Sequence, residues 1–91
     1  MVQVTWTRRA VEDLTAIVAY ISQFSPAAAQ RISRLLKEAA ASLAEHPDRG
    51  RLTSRGFREL VSVQPYILRY RIDAEGVRIA RIRHSARRPL P

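Results

Sequence analysis

The chain predicts an α+β domain in the order β-α-α-β-β-β, a helical hairpin packed on one face of a mainly antiparallel four-stranded sheet. Three observations lead there. Val2, Val4 and Trp6 alternate with Gln3 and Thr5, two apolar stretches at helical spacing follow, and the period returns to two from Phe57 onward. At 91 residues the chain reads as a single domain, residues 1–91, with one core and no large enclosed active-site cavity.

The first strand is short and half-buried. From Arg8, the residues Ala10, Leu14, Ile17, Val18 and Ile21 fall on one helical stripe. Arg8, Arg9, Glu12 and Asp13 are placed on the outer side, where they pair at i,i+4 as a solvated face. Ser22 to Ser25 interrupts the pattern. The Ser25 hydroxyl is a natural N-cap, and Pro26 takes the first helical position, where a missing N–H costs nothing. A second helix then carries Ile32, Leu35, Leu36, Ala39 and Leu43 inward, with Arg34 and Glu38 outside. It ends before His46-Pro47, because the residue preceding proline is pushed out of the α region. The His46 ring is expected against the last helical carbonyls.

Asp48 to Gly56, DRGRLTSRG, reads as an exposed basic loop. Three strands follow, Phe57 to Val63, Tyr66 to Ile72 and Val77 to Arg83, with Asp73-Ala74-Glu75-Gly76 as the last hairpin turn. In the middle strand Tyr66, Leu68, Tyr70 and Ile72 point to the core, and Ile67, Arg69 and Arg71 point the other way. In the last strand Val77 and Ile79 share a face with Arg81 and Arg83 while Ile82 lies opposite, which predicts a bulge between Ile79 and Ile82. The sheet face that carries the arginines is expected to be open.

The net charge of +8 is uneven: the first 49 residues carry +1 and the remaining 42 carry +7, concentrated between Pro65 and Arg88. One face is therefore the expected binding surface. Lys37 is the only lysine, and a set of arginines suits forked contacts to phosphate or carboxylate, so a nucleic acid or an acidic protein segment would fit. The absence of cysteine removes disulfides, thiolate nucleophiles and cysteine metal sites. No apolar run approaches the roughly 18 residues of a membrane span. Neither a sustained apolar stretch nor a cleavage site marks MVQVTWTRR, so a cytoplasmic location is expected.

Only His46 and His84 could serve as histidine bases or ligands, and they lie far apart with no accompanying carboxylates, so no metal centre or cofactor is expected. No Gly-rich phosphate loop, Ser-His-Asp order or paired-carboxylate arrangement is present. An arginine-and-tyrosine ribonuclease site is the one chemistry left open, although alternation places Tyr66 and Tyr70 in the core.

Read together, Trp6, Ala10, Asp13-Leu14, Ile17, Tyr20-Ile21, Pro47, Gly50-Arg51, Arg58-Glu59-Leu60, Pro65-Tyr66-Ile67, Tyr70-Arg71-Ile72 and the closing Ile82-Arg83-His84-Ser85-Ala86-Arg87 resemble the RelE/ParE superfamily of toxins from type II toxin-antitoxin modules. That resemblance implies the same fold and two alternative activities. RelE-like members are ribosome-dependent mRNA endonucleases, and a likeness to them would require an arginine just after the middle-strand tyrosine and an arginine and a tyrosine near the C-terminus, of which Arg83, Arg87 or Arg88 could supply the C-terminal arginine. Here Ile67 follows Tyr66, and SARRPLP has no tyrosine. His84-Ser85-Ala86-Arg87 instead looks like the His-Gly-Ala-Arg ending of ParE-like members, with Pro89 where an aromatic residue usually stands.

The resemblance thus implies a ParE-like toxin that poisons DNA gyrase without being an enzyme and is neutralised by a cognate antitoxin. The implied antitoxin is acidic and folds on binding. Its carboxylates would meet Arg69, Arg71 and Arg83, and the target would be met by Arg83, His84, Arg87 and Arg88. The alternatives are an mRNA endonuclease, a basic nucleic-acid-binding module and a toxin that has lost its toxicity. A homo-oligomer stays open.

Overall fold

Two hydroxyl caps start the helical layer. Thr7 accepts a hydrogen bond from the Ala10 N–H (3.2 Å) and opens α1 (Arg8–Ser22); Ser25 accepts from the Ala28 N–H (3.1 Å) and opens α2 (Pro26–Ser42), with Pro26 in its first turn. Both helices match the sequence reading. The computed structural model describes residues 1–86. Beyond the helices it contains β1 (Val4–Trp6), β2 (Arg51–Leu52), β3 (Phe57–Val63), β4 (Tyr66–Asp73) and β5 (Gly76–His84), with short 3-10 turns at Pro47–Arg49 and Ser54–Gly56.

The sheet has five strands rather than four, in the order β1-β5-β4-β3-β2. The added strand, β2, lies inside the stretch expected to be only a loop, and pairs Arg51 with Glu59 and Leu52 with Arg58. Two residues between 3-10 turns contain no alternation to read. β1 runs parallel to β5, from Val4 beside Val77 to Trp6 beside Ile79, and the remaining pairs are antiparallel. Gly76 permits this close approach. Its φ is +128°, and a Cβ there would run into the backbone of Gln3, whose carbonyl accepts the Val77 N–H at 2.8 Å. β5 contains the expected bulge: Arg69 faces Arg81 while Tyr70 faces Ile79, which leaves Ala80 as the extra residue.

α1 packs on β5 and α2 on β3, enclosing Ala10, Leu36, Ala39, Ala40, Leu43, Leu60, Leu68, Tyr70, Val77, Ile79 and Ile82. Each large aliphatic residue in this layer contributes about 1.5–3 kcal/mol by leaving water. No helix of the described residues is long and apolar enough to cross a membrane. His46 differs from expectation: its backbone N–H, not its ring, meets the Ser42 carbonyl at 3.2 Å.

Tyr70 ties the loop before β2 to the core. Its ring is fully buried, and its hydroxyl donates to the Pro47 carbonyl (2.6 Å) and accepts from the Gly50 N–H (2.7 Å). A Cβ at Gly50 would lie 2.7 Å from that hydroxyl, so glycine is required by proximity. Arg58 adds a bond to the Gly50 carbonyl (2.8 Å), and Arg49 reaches the Ser42 hydroxyl (2.7 Å). Burial pushes the Tyr70 phenol above its usual pKa.

Tyr70→Phe leaves the Gly50 N–H and the Pro47 carbonyl unpaired and is expected to cost about 1–3 kcal/mol in urea unfolding at neutral pH. A loss below about 0.5 kcal/mol would mean that water replaces the hydroxyl. Because the phenol loses its proton more readily when unfolded, its contribution is complete below pH 10 and is lost as pH rises through the higher folded pKa. Unfolding followed as the pH rises above 10 should therefore show a decline in the parent protein that Tyr70→Phe lacks.

Candidate functional site

Alternation along β4 puts Ile67, Arg69 and Arg71 on the sheet face away from the helices, as expected, but that face is not an open field of cations. Arg69 is 4% exposed and Arg71 is exposed, and their guanidinium carbons lie 4.2 and 4.3 Å from the centroid of the Phe57 ring. Arg71 also donates to the Arg55 carbonyl, securing the loop before β3. The expectation of an open arginine face is therefore corrected. An aromatic residue at the start of β3 gathers two of these cations and shields one from water.

Arg83 is drawn down in the same way. Its side chain is 12% exposed, and its Nη2 lies 3.5 Å from Oε1 of Glu59, itself 11% exposed. Arg51, on the edge strand, places its Nη2 3.9 Å from the same oxygen while remaining 80% exposed. At the hairpin turn Arg78 pairs with Asp73 (3.7 Å) and Glu75 (3.5 Å).

Asp13 departs furthest from the sequence reading. It does not lie on a solvated outer face. Its carboxylate accepts from Arg81 Nε (2.9 Å), Arg81 Nη2 (3.3 Å) and the Ile82 N–H (2.9 Å), joining α1 to β5 just past the bulge. The hydrogen bond that Arg81 donates to Asp13 raises the guanidinium above its ordinary pKa. Thr7 fixes the other side of the bulge, donating from its hydroxyl to the Ala80 carbonyl at 3.0 Å. Residues three to four apart would place Asp13 beside Arg9, but the Arg81 guanidinium and the Ile82 N–H of β5 hold it instead.

His84 ends β5, half-buried, with its ring edge-on to Tyr66 at 5.6 Å between centroids. Its Nδ1 accepts the Ala86 N–H at 3.1 Å, which requires an unprotonated Nδ1, and the Ser85 N–H donates to the Pro65 carbonyl at 2.8 Å. Both contacts set the direction in which the chain leaves the sheet. Arg87 and Arg88 lie outside the described residues. Of the anticipated site residues, Arg69 and Arg71 are therefore brought together on Phe57, and Arg83 lies on the same face beside Glu59. His84 stands apart, with Tyr66 at the strand's end.

Sequence reasoning missed Phe57, Glu59, Arg51 and the inward turn of Asp13. Glu59 did carry a signal, as an acid at the centre of a strand in the basic half. Among the described residues no group of three or more His, Cys, Asp or Glu could hold a metal ion.

A small helical hairpin over a five-stranded sheet, with a basic C-terminal strand, defines the architecture of a compact toxin domain, and the comparisons agree. Residues 4–89 match the model of the ParE toxin of the type II toxin-antitoxin system parDE. Toxin RelE2 of Caulobacter vibrioides is 60% identical over 87 residues, covering 96% of this chain and 99% of that protein. Toxin RelE3 of the same organism is 41% identical over 83 residues, covering 88% and 90%. A solved chain described as the chromosomal ParDE TA system from P. aeruginosa superposes with a TM-score of 0.82 at 27% identity, covering 92% of this chain and 96% of that one. The chain belongs to the ParE toxin family, within the RelE/ParE superfamily of type II toxin-antitoxin toxins. Its partner in such a system is a cognate antitoxin.

Asp13→Asn, which keeps the shape and removes the charge, should lower stability by about 1–3 kcal/mol and speed amide exchange at Ile82 relative to neighbouring β5 residues. Unchanged exchange at Ile82 would show that the strand keeps its course without the carboxylate.

Proposed function

We propose that this toxin is ParE-like, acts in the cytoplasm by inhibiting DNA gyrase through the C-terminal end of its basic hairpin, and is not an enzyme. The observation that carries this reading is the disposition of the cations. Arg81 is held by Asp13, Arg83 and Arg51 lie against Glu59, and Arg69 and Arg71 against Phe57, so the guanidiniums are divided among three separate partners. RNA cleavage asks for convergent cations and a group free to move a proton. The Tyr70 hydroxyl is buried and committed to Pro47 and Gly50, and His84 faces Tyr66 on the sheet side opposite Arg83. Such a surface suits docking on a large partner, with Arg83, His84, Arg87 and Arg88 as the target contacts.

The names of the RelE relatives favour a second reading, a ribosome-dependent mRNA endonuclease. In either case we propose that an acidic antitoxin segment, folding as it binds, sets carboxylates against Arg69, Arg71 and Arg83. A plain nucleic-acid-binding module would instead show affinity that follows phosphate neutralisation alone.

The deciding experiment runs two assays on one preparation. Gyrase supercoiling should be inhibited with cleaved DNA accumulating, while translating ribosomes should yield no codon-positioned mRNA cuts; the reverse pattern establishes the endonuclease. Arg87→Ala combined with Arg88→Ala should abolish toxicity with the unfolding midpoint unchanged, and full toxicity in that variant would remove the tail from the mechanism.

A further inference from the structure

A carboxylate, Glu59, sits at the centre of the basic sheet face beside Arg83 and Arg51. We infer that Glu59 is an internal stand-in for a carboxylate of an acidic peptide, and that Arg51 and Arg83 form the seat into which such a peptide docks by displacing it. This rests on the reading that the antitoxin presents an acidic segment to this face.

The contacts of Glu59 with Arg83 and Arg51 are long. Glu59 Oε1 stands 3.5 Å from Arg83 and 3.9 Å from Arg51, whereas charge-assisted N–H···O bonds close to about 2.7–2.9 Å. Arg83 Nε is buried with no hydrogen-bond partner among the described residues, so this guanidinium is shielded from water while its donors are incompletely used. Arg51 lies 80% exposed at the edge of the sheet, positioned to swing over an arriving anion. An external carboxylate in the place of Glu59 can take short, forked bonds from both arginines, and the freed Glu59 side chain can turn to solvent.

A peptide fits this seat better than a nucleic acid. The group that now occupies it is a carboxylate. The aromatic ring on the same face, Phe57, has two guanidiniums within 4.3 Å of its centroid, which leaves little ring surface on which a base could stack. Glu59 then acts as a gate: it neutralises the seat in the free toxin and repels any anion that does not bring enough further contacts to displace it.

The test uses fluorescence anisotropy with two labelled probes, a glutamate-rich peptide and a single-stranded oligonucleotide of equal net charge. Glu59→Gln should tighten the peptide about fivefold to tenfold, because a like charge at the seat is removed, and change the oligonucleotide by less than about twofold. It should also lower the melting temperature of the free toxin, with the peptide restoring more of it than in the parent protein. Arg51→Ala, altering an exposed side chain, should weaken the peptide several-fold. Peptide affinity unchanged or weakened by Glu59→Gln overturns the inference, as does an equal gain for both probes. Should Glu59→Gln fail to fold, unchanged peptide affinity in Arg51→Ala overturns it independently. A cognate antitoxin that binds both variants and the parent equally would sink the seat and leave the toxin reading standing.

Discussion

Pairing β4 with β5 sets Arg69 opposite Arg81 and Arg71 opposite Arg78, and like charges directly opposite one another destabilise a sheet. The remaining architecture disposes of those four cations. The bulge at Ala80 breaks the register, and beyond it Arg81 reaches across to Asp13 on α1. Arg78 turns to the acids of its own hairpin, Asp73 and Glu75. Arg69 and Arg71 fold over Phe57 on the neighbouring strand. Each solution draws on a different element, so the hairpin is tolerable only inside this fold.

Asp13 contributes more than charge. Three donors meet on one carboxylate, one of them the Ile82 N–H, so α1 grips the strand at the point where the bulge would otherwise leave an unpaired backbone group. Thr7 does related work from the start of the same helix, capping α1 and binding the Ala80 carbonyl with one hydroxyl. The end of β1, the first turns of α1 and the bulge of β5 thereby form one hydrogen-bonded unit, and the course of β5 determines where His84, Ser85 and Ala86 lie.

For function, the consequence is a basic surface that is pre-organised instead of fluid. Guanidiniums fixed by rings and carboxylates lose less side-chain entropy on binding than solvated arginines would, which favours affinity for a partner of matching shape. A toxin of this family must be inert beside its antitoxin and competent without it, and a surface already partly neutralised by its own acid is suited to that demand.

Local signals were enough for most of the fold: the helix cap at Ser25, the period-two strands from Phe57 onward, the bulge before Ile82 and the inward placement of Tyr70 are all written in neighbouring residues. Strand β2 was not, because two residues between turns have no period. The electrostatic partners were not legible either. Asp13 and Arg81 are 68 residues apart, and Glu59 and Arg83 are 24 apart. Composition by itself determined that the second half is basic and that arginine is its currency. Only the packing of α1 on β5, and of β3 beside β4, decided which guanidiniums are engaged internally and which stay exposed, because ion pairing depends on distance in space and alternation reports only which side of a strand a residue takes.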